Sequence, residues 1–544
     1  MRRRPPAPGV AAAGGDRPSS LEPAGRAATL MAVGTALSRV TGLARTAALA
    51  AALGVTALAD AYNTANTVPN MLFMLVTGGT LSAVVLPMLA RERDPDRRRE
   101  QAAALGGAIV ALTALASLLL LAAAPLLARG FALSRAGEPG YASFVAVTAA
   151  WMALFAPQVL LYGLSVHTVA VLNAHGRLAL AGFAPVATNL ITVLAVVAYL
   201  GVGGPRPPSP AGVQTAPLVV LGAGTTLGVA SMVGIQWLGA RRVLPGLRLR
   251  FTRRDPAVAE LWRLGRWTLG YVVVNQLGLA VVLVLANAVD GGVAAYQWAF
   301  AIMQLPYAVV AVSLLSALYP RLARTAHDPV EFGRQVATGL RLVAVLLLPA
   351  GVGLAILAGP VATLLLGYGA AAGPGAAFVG VALRWFGLAL LPFTVFQLLT
   401  RAFYARSDTR TPMLANVAVN VVNVAGGLLA FGLLEQPHAR IAGLVVAWGA
   451  SYVTGVAVLS WVLAGRVRAA FTSSGRALAT AVLASAVMAA VLLAAAAGWP
   501  PPAGLVPTTL RTLALVAIGL GVYLVTAFLL GSRELAHLRA RLRR

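Results

Sequence analysis

Residues 35–91 read TALSRVTGLARTAALAAALGVTALADAYNTANTVPNMLFMLVTGGTLSAVVLPMLAR and hold two apolar segments, each long enough to cross a bilayer. Arg39 and Arg45 lie in the first segment, and Asp60 opens the second. A charged side chain at membrane depth costs roughly 2.5–3.5 kcal/mol on insertion scales. We therefore expect these groups to face a water-filled interior rather than lipid.

The composition extends this interpretation to the whole chain. Of 544 residues, 59% are apolar and only 11% are charged, and the mean hydropathy is +0.82. Apolar runs of about 20 residues recur from end to end, without the short alternating segments of a membrane β-barrel. There is no cysteine, which excludes disulfides, thiolate chemistry and cysteine metal sites. The sequence predicts an all-α polytopic membrane protein.

The apolar runs predict fourteen spans. They lie near 29–54, 63–89, 102–128, 143–172, 179–201, 214–239, 261–287, 293–319, 340–367, 378–403, 412–434, 440–464, 476–498 and 508–531.

Arginine distribution predicts the orientation of these spans. The net charge is +26, and all 42 basic residues are arginine. They cluster in the loops after even-numbered spans, whereas loops after odd-numbered spans hold few, such as Arg129 and Arg135. By the positive-inside rule, both termini are cytoplasmic. The same pattern favours contact with anionic membrane lipids over nucleic-acid binding.

An internal repeat divides the chain. Tyr62 precedes the motif PMLAR (87–91), and Tyr296 precedes PRLAR (320–324), with an offset of about 233 residues. Each half holds an even number of spans, so the halves are expected to be parallel repeats facing each other across a central cavity.

The predicted organisation has five parts, and no cleaved signal peptide is expected because the first apolar run carries two arginines. These parts are a disordered cytoplasmic tail (1–26), an N-lobe with spans 1–6 (27–240), a C-lobe with spans 7–12 (241–465), spans 13 and 14 (466–531) and a basic cytoplasmic tail (532–544).

Arg39 and Arg45 are the first candidate site residues. Six helical positions rotate the chain by about 600°, so the two side chains lie roughly 120° apart and could both border a wide cavity, particularly if Gly42 allows a bend. The planar guanidinium fork suits phosphate groups. We favour binding of an anionic head group; the alternative is that both arginines are structural or snorkel to the interface.

The polar start of the second span leaves its alternatives open. Asp60 could pair with an arginine or titrate during a conformational change, or it could cap its own helix. Asn63, Asn66 and Asn70 form one helical stripe. The stripe could line the cavity and bind sugar hydroxyls. Alternatively, its amides could hydrogen-bond to neighbouring helices, as polar side chains do in other membrane proteins. Asn416 and Asn420 are expected to join helices.

Other polar residues carry weaker signals. Arg263 and Arg266 open the seventh span, where an interfacial role is favoured and a gate or head-group contact is the alternative. His167 is expected to be a packing residue rather than a proton relay. The 16 carboxylates lie nearly all in loops, and the run Asp94-Pro-Asp96 is interpreted as solvated. No catalytic residue, metal site or cofactor is predicted, and no phosphate-binding GxxxxGK[ST] loop occurs.

Several motifs resemble the MurJ (MviN) family of lipid II flippases, in the multidrug/oligosaccharidyl-lipid/polysaccharide exporter superfamily, and their wording is similar to the actinobacterial branch. They are SRVTGLAR (38–45), ADAYNTANTVPN (59–70), GGTLSAVVLPMLAR (78–91), MQLPYAVVAVSLLSALYPRLAR (303–324) and AFYARSDTRTP (402–412).

The resemblance implies two pseudo-symmetric six-helix lobes around a cationic cavity, plus two C-terminal helices that help form a groove for a lipid tail. It implies alternating access, in which lipid II (undecaprenyl-diphosphate-linked disaccharide-pentapeptide) moves from the inner to the outer leaflet of the cell membrane. Membrane lipids and cell-division or elongation proteins are the implied partners.

Residue by residue, Arg39, Arg45 and Asp60 fall on functionally important cavity positions of the family. Two sites depart from its pattern. Phe73 and Met74 stand where many members have paired arginines, and Ala301 stands where many have an arginine. The cavity is therefore expected to carry less positive charge than in those members.

Four alternatives remain open. A flippase for another polyprenyl-linked glycan would use the same cavity. A cation-coupled exporter would need acidic cavity groups, and Asp60 is nearly alone; the sodium site of some relatives needs a carboxylate in span seven, where Glu260 lies only at the edge. A glycosyltransferase would need a catalytic carboxylate near a large outer loop. A cell-wall scaffold would tolerate loss of both Arg39 and Arg45.

Overall fold

The computed structural model describes residues 21–77, 94–246, 249–250, 256–464, 475–502 and 504–532. Within these ranges the chain forms helices and no strand. Three segments discussed above lie outside the described residues. They are the motif 78–91, which contains PMLAR (87–91), residues 1–20 of the N-terminal tail and residues 533–544 of the C-terminal tail. Residues 21–26, which the sequence analysis assigns to the N-terminal tail, are helical.

The described residues form seventeen α-helices. In chain order they are α1 (Leu21–Leu53), α2 (Ala57–Thr77), α3 (Pro95–Phe131), α4 (Tyr141–Phe155), α5 (Pro157–Ala174), α6 (Leu178–Gly201), α7 (Thr215–Val243), α8 (Pro256–Ala286), α9 (Gly292–Pro306), α10 (Ser313–Arg324), α11 (Pro329–Ile356), α12 (Ala358–Leu366), α13 (Pro374–Ala405), α14 (Arg410–Leu433), α15 (Pro437–Ala464), α16 (Gly475–Gly498) and α17 (Leu505–Leu529).

Twelve segments of the described chain are long and apolar enough to cross a membrane. They coincide with the third to fourteenth predicted spans. The first two predicted spans overlap α1 and α2, which are not among these twelve segments of the described chain. The all-α polytopic fold is confirmed, and the count of fourteen spans stays a prediction.

Proline residues mark the breaks within long spans. Pro157 separates α4 from α5, and Pro306 ends α9 just before a π-helical turn at Tyr307–Val312 that leads into α10. Proline has no backbone N–H to donate, so the hydrogen-bond ladder is interrupted at these positions. Asp94 caps α3 by accepting the Asp96 N–H at 3.0 Å, so the Asp94-Pro-Asp96 run is an exposed helix start.

The helix packing repeats between the two halves of the chain. In the first half, α6 packs against both α1 and α7, and α2 packs against α4. In the second half, α14 packs against both α8 and α15, and α9 packs against α13. The last two helices, α16 and α17, pack against each other and against α11 and α12. We refer to α1–α7 as the N-lobe and to α8–α15 as the C-lobe.

The two tyrosines of the sequence repeat have the same structural role in each lobe. Tyr62 on α2 packs edge-on against Trp151 and Phe155, with ring centroids 5.4 and 5.5 Å away. Tyr296 on α9 packs edge-on against Phe386 at 5.1 Å. Edge-to-face pairs at these distances are favourable. Each tyrosine therefore anchors the second helix of its lobe to the lobe's interior.

Candidate functional site

The lobes meet at one end of the bundle, which we call the sealed end and define by Val55, Gly291 and Gly369. Gly291 has φ 76° and Gly369 has φ 55°, in the left-handed region that favours glycine. A Cβ on Gly291 would collide with the Val55 carbonyl, and one on Gly369 would collide with the Ala51 carbonyl. The backbones of the two lobes are therefore in direct contact here.

Asp60 crosses between the lobes at this end. Its side chain is fully buried, and its two carboxylate oxygens accept the N–H groups of Gly291 at 2.7 Å and Ala294 at 2.9 Å. These N–H groups belong to the first turn of α9, which has no intrahelical acceptors for them and favours negative charge. Asp60 thus caps a C-lobe helix, rather than its own helix as one of the sequence alternatives had it.

Arg135 supplies the positive charge next to Asp60. Its side chain is only 7% exposed, and its Nη2 lies 3.8 Å from the Asp60 carboxylate. Arg135 also pairs with Asp290 and lies over the Phe144 ring at 4.7 Å. The sequence offered one weak signal for this residue, namely an arginine in a loop where the positive-inside pattern leaves few.

Neutral side chains add further contacts between the lobes. The Asn287 amide donates to the Phe131 carbonyl at 3.1 Å and to the Thr64 hydroxyl at 3.3 Å. The Gln297 amide donates to the Thr67 hydroxyl at 3.0 Å. Buried polar groups that are fully hydrogen-bonded hold a specific arrangement, whereas losing a partner is costly. The sealed end is therefore a polar joint as well as an apolar contact.

Away from the sealed end, a cavity of about 550 Å³ lies between the lobes. The N-lobe supplies most of its wall from α1, α5 and α6, and the C-lobe supplies Ala301, Gln304 and Leu305 from α9. Arg39 and Arg45 both line it, as their spacing allowed. The Arg39 side chain is exposed, and the Arg45 side chain is partly buried.

The charge of this wall is positive. Its lining residues include no aspartate or glutamate. Among the described residues, neither Arg39 nor Arg45 forms an ion pair, and the Arg45 Nε is buried without a hydrogen-bond partner. A guanidinium whose donors are unused in the protein can give them to an anionic ligand. The arrangement suits a phosphate-bearing molecule.

The asparagine stripe on α2 does not line this cavity. The Asn63 amide donates to the Ala59 carbonyl at 2.9 Å, and the Asn70 amide donates to the Asn66 carbonyl at 3.1 Å. These bonds lie within α2 itself. On this helix the side chains bonded to the other lobe are those of Asp60, Thr64 and Thr67.

Asparagines elsewhere join helices within each lobe. Asn189 on α6 donates to the Ser38 carbonyl on α1 at 3.0 Å. In the C-lobe, Asn416 on α14 donates to the Tyr271 carbonyl on α8 at 3.2 Å, and Asn420 donates to the Asn275 side chain at 3.3 Å. The interhelical role expected for Asn416 and Asn420 is confirmed, and Asn189 has the corresponding position in the N-lobe.

The remaining predicted site residues fall into two groups. Arg263 and Arg266 lie on α8, but their side chains are outside the part of the chain that the structure describes. His167 is fully buried against Gly106 without a hydrogen-bond partner, which fits packing better than proton relay. Ala301, one of the two departures from the family pattern, lines the cavity directly.

The other departure borders the cavity through a neighbour. The Phe73 ring lies 5.4 Å from the ring of Tyr162, which itself lines the cavity. Met74 is 49% exposed. Tyr162 is a lining residue that sequence reasoning missed, since it carries no charge and belongs to no polar stripe.

A second groove is apolar. It has a volume of about 380 Å³ and lies between α11, α16 and α17, with side chains such as Val345, Met488 and Leu492 in its wall. Pro306, the last residue of α9, also lines it, whereas the preceding residues Gln304 and Leu305 line the polar cavity. The end of α9 therefore contributes to the walls of both spaces.

The sequence matches the family described as "Lipid II flippase MurJ" over residues 49–510. A probable lipid II flippase MurJ of Rhizobium tropici is 28% identical over 526 residues, covering 93% of this chain and 94% of that protein. A lipid II flippase MurJ of Burkholderia cenocepacia is 27% identical over 399 residues, covering 71% of this chain and 74% of that protein.

Solved structures show the same fold. The inward closed conformation of a lipid II flippase MurJ superposes with a TM-score of 0.73 at 18% identity, covering 93% of this chain and 100% of that one. An inward-facing multidrug transporter of the MATE family, in the MOP superfamily, gives 0.62 at 13% identity, covering 79% and 96%. Since the family match spans most of the sequence and the fold agrees, the chain belongs to the lipid II flippase MurJ family.

Proposed function

We propose that this protein is a lipid II flippase, which moves undecaprenyl-diphosphate-linked disaccharide-pentapeptide from the inner to the outer leaflet by alternating access. The observation that carries the proposal is a cavity between two lobes that is closed at one end by contacts between them. It is lined by Arg39 and Arg45, neither of which forms an ion pair among the described residues. Family membership supports the same substrate.

The arginines bind the diphosphate. Arg39 and Arg45 offer planar forks of donors, and charge-assisted hydrogen bonds from such forks to phosphate oxygens are among the strongest in proteins. The binding forms and breaks no covalent bond, so the activity is transport rather than catalysis. Arg263 and Arg266, at the start of α8, are further candidates for head-group contacts from the C-lobe.

The lipid tail occupies the apolar groove beside α16 and α17. Its wall is almost entirely apolar, so a polyprenyl chain gains the hydrophobic free energy of burial there, about 25 cal/mol per Å². Pro306 lines this groove at the end of α9, the helix whose Gln304 and Leu305 line the polar cavity. A lipid could therefore keep its tail in the apolar groove while its head group enters the cavity.

The sealed end is the outer gate. Val55 and Gly291 follow predicted spans 1 and 7, whose loops hold few arginines, so the positive-inside rule favours a sealed end that faces outward and a cavity that opens inward. For outward release, Asp60 must leave the N–H groups of Gly291 and Ala294, and Arg135 must part from its carboxylate partners. A polar seal that exchanges its partners for water can open without exposing a large apolar surface.

Complementation tests the proposal. A strain depleted of its lipid II flippase would carry this protein, and lipid II in each leaflet would be measured in the same cells. We expect rescue by the wild type and loss of rescue with Arg39→Ala or Arg45→Ala. Arg384→Ala, an exposed arginine on α13 outside the cavity lining, is the matched control and should rescue.

The result separates the alternatives. Absence of rescue by a well-expressed, inserted wild type would contradict lipid II transport and favour another polyprenyl-linked glycan, for which Ala301 would be the first residue to examine. Rescue that survives removal of Arg39 and Arg45 together would instead favour a scaffold in the cell-wall machinery.

A further inference from the structure

We propose that Tyr162 forms a stacking surface for a sugar ring of the transported lipid, beside the arginines that hold its diphosphate. The inference rests on the proposed function, because it assigns a subsite within the same cavity. It makes Tyr162 a specificity-determining residue that distinguishes a glycosylated polyprenyl diphosphate from a bare one.

The position of Tyr162 is the first observation. It lies on α5 and lines the same cavity as Arg45 on α1. An aromatic side chain next to a cation and open to a cavity matches the usual composition of ligand pockets, in which rings supply contact area and a few polar groups set orientation.

The second observation is that the ring is held in place from behind. Phe73 on α2 packs against it at 5.4 Å with the planes tilted by 45°. The hydroxyl donates to the Gln158 side chain, one turn earlier on α5, at 3.4 Å. A ring fixed on two helices loses little conformational entropy when a ligand stacks on it, which favours binding.

Unpaired polar atoms elsewhere on the cavity wall give the third observation. In the described part of the chain, Asn173 Oδ1 and Thr188 Oγ1 have no hydrogen-bond partner, and both residues line the cavity. A pyranose ring has an apolar C–H face that can pack on Tyr162. Asn173 lies eleven residues beyond Tyr162 on the same helix, about 16 Å along its axis, so its oxygen is available to a more distant part of the head group, where a donor would satisfy an atom that is costly to leave unpaired.

The departure at Phe73 fits this assignment. At the position where many family members have an arginine, this chain has Phe73, whose ring packs against Tyr162. The wall therefore combines a charged site, Arg39 and Arg45, with an aromatic site, Tyr162 and Phe73. Each site recognises a different part of a lipid-linked sugar.

Binding of two lipids to the purified full-length protein tests the assignment. The probes are undecaprenyl diphosphate, which has no sugar, and lipid II, which has two, each measured by native mass spectrometry from the same detergent. We expect Tyr162→Leu to weaken lipid II binding about tenfold and leave undecaprenyl diphosphate unchanged, because it removes the ring face and no charge. Tyr162→Phe keeps the ring and should bind both lipids like the wild type.

Phe73→Leu is a second variant that leaves Tyr162 in place. It should weaken lipid II binding about threefold, again without an effect on undecaprenyl diphosphate, because the stacked ring loses its support. Equal weakening of both lipids by Tyr162→Leu and Phe73→Leu, or no change in either, would overturn the sugar subsite alone. A wild type that binds neither lipid would overturn the proposed function as well, so the two failures are distinguishable.

Discussion

Asp60 and Arg45 are both ionisable residues at membrane depth on consecutive helices, yet they have opposite environments. Asp60 is completely buried, with two backbone N–H donors and Arg135 as partners, and most of these partners come from the other lobe. Arg45 borders an open cavity, and its Nε has no partner among the described residues. The comparison indicates that a paired charge holds the lobes together, while an unpaired charge is available to a ligand.

The same difference separates the regions around the two residues. At the sealed end, glycines allow backbones of different lobes to touch, and side-chain amides and hydroxyls are bonded across the contact. In the cavity, polar atoms such as Asn173 Oδ1 and Thr188 Oγ1 have no partner. Residues that contribute to binding are often suboptimal for stability, so the two regions should respond differently to substitution.

Asp60→Ala should have the largest effect on the closed state. It leaves Arg135 nearly buried with a lost partner and two N–H groups of α9 without acceptors, and breaking such a buried pair costs about 3–5 kcal/mol. The chain has no cysteine, so Ala301→Cys provides a single reporter in the cavity. A membrane-impermeant maleimide added outside should label this reporter in the Asp60→Ala background and spare it in the parent.

The control for this experiment is labelling from the cytoplasmic side, which should occur in both backgrounds. If the Ala301→Cys reporter in Asp60→Ala cells is not labelled from outside while transport is intact, the cap of Asp60 on α9 does not keep the outer gate closed.

Gly291→Ala should have the next largest effect. The added methyl group would collide with the Val55 carbonyl of the other lobe, and overpacking of this kind costs about 1–3 kcal/mol. Gly140→Ala is the matched control, since Gly140 has φ 85° and also precedes a helix, but its nearest neighbour, Ser143 Oγ, is 3.8 Å away. Both variants carry the cost of a positive φ, so only the collision differs.

We expect outside labelling of the cavity reporter to increase in the Gly291→Ala protein and to stay at the parental level in the Gly140→Ala protein. Equal labelling of the two would mean that the close backbone contact at Val55 does not contribute to the seal.

Asp290→Ala should have a small effect, although Asp290 is also a partner of Arg135. Its side chain is 74% exposed, and exposed ion pairs contribute about 0–1 kcal/mol. Asp60 remains in place to neutralise the arginine. The measurement is the same labelling assay at low and high salt. A loss of sealing comparable to that of Asp60→Ala would show that Asp290, rather than the buried carboxylate, is the main partner.

Part of this arrangement was accessible from the sequence. Apolar runs fix the helices, because a span needs about 20 residues, and the cost of burying charge in lipid directs Arg39 and Arg45 to a cavity. The offset between Tyr62 and Tyr296 predicted two similar halves, and both tyrosines anchor the second helix of their lobe. These predictions depend on the spacing of apolar residues and on the cost of burying a charge in lipid. Both can be assessed from the sequence alone.

The partners of Asp60 could not be predicted in the same way. Its acceptor role depends on Gly291, which lies 231 residues away, so three local alternatives remained open until the lobes were in place. The asparagine stripe of α2 shows the same limit of sequence reasoning. Its helical spacing was predicted, but packing decides which face of the helix meets the other lobe, and Thr64 and Thr67 make hydrogen bonds there. Tyr162 has no polar pattern that would mark it as a lining residue.

Arg45→Met should change stability least while still removing transport. The guanidinium has no ion-pair partner in the described part of the protein, so its removal leaves no opposite charge behind and also removes an unsatisfied buried Nε. Methionine has a similar length and packs flexibly in irregular spaces. We expect the free energy of unfolding to change by no more than surface substitutions do, roughly ±0.5 kcal/mol, or to increase. The midpoint of thermal unfolding is the measurement. Asp60→Ala, measured alongside, should unfold at a clearly lower temperature. Large destabilisation by Arg45→Met would mean that the arginine has a structural partner, and the contrast between paired and ligand-binding charges would then fail.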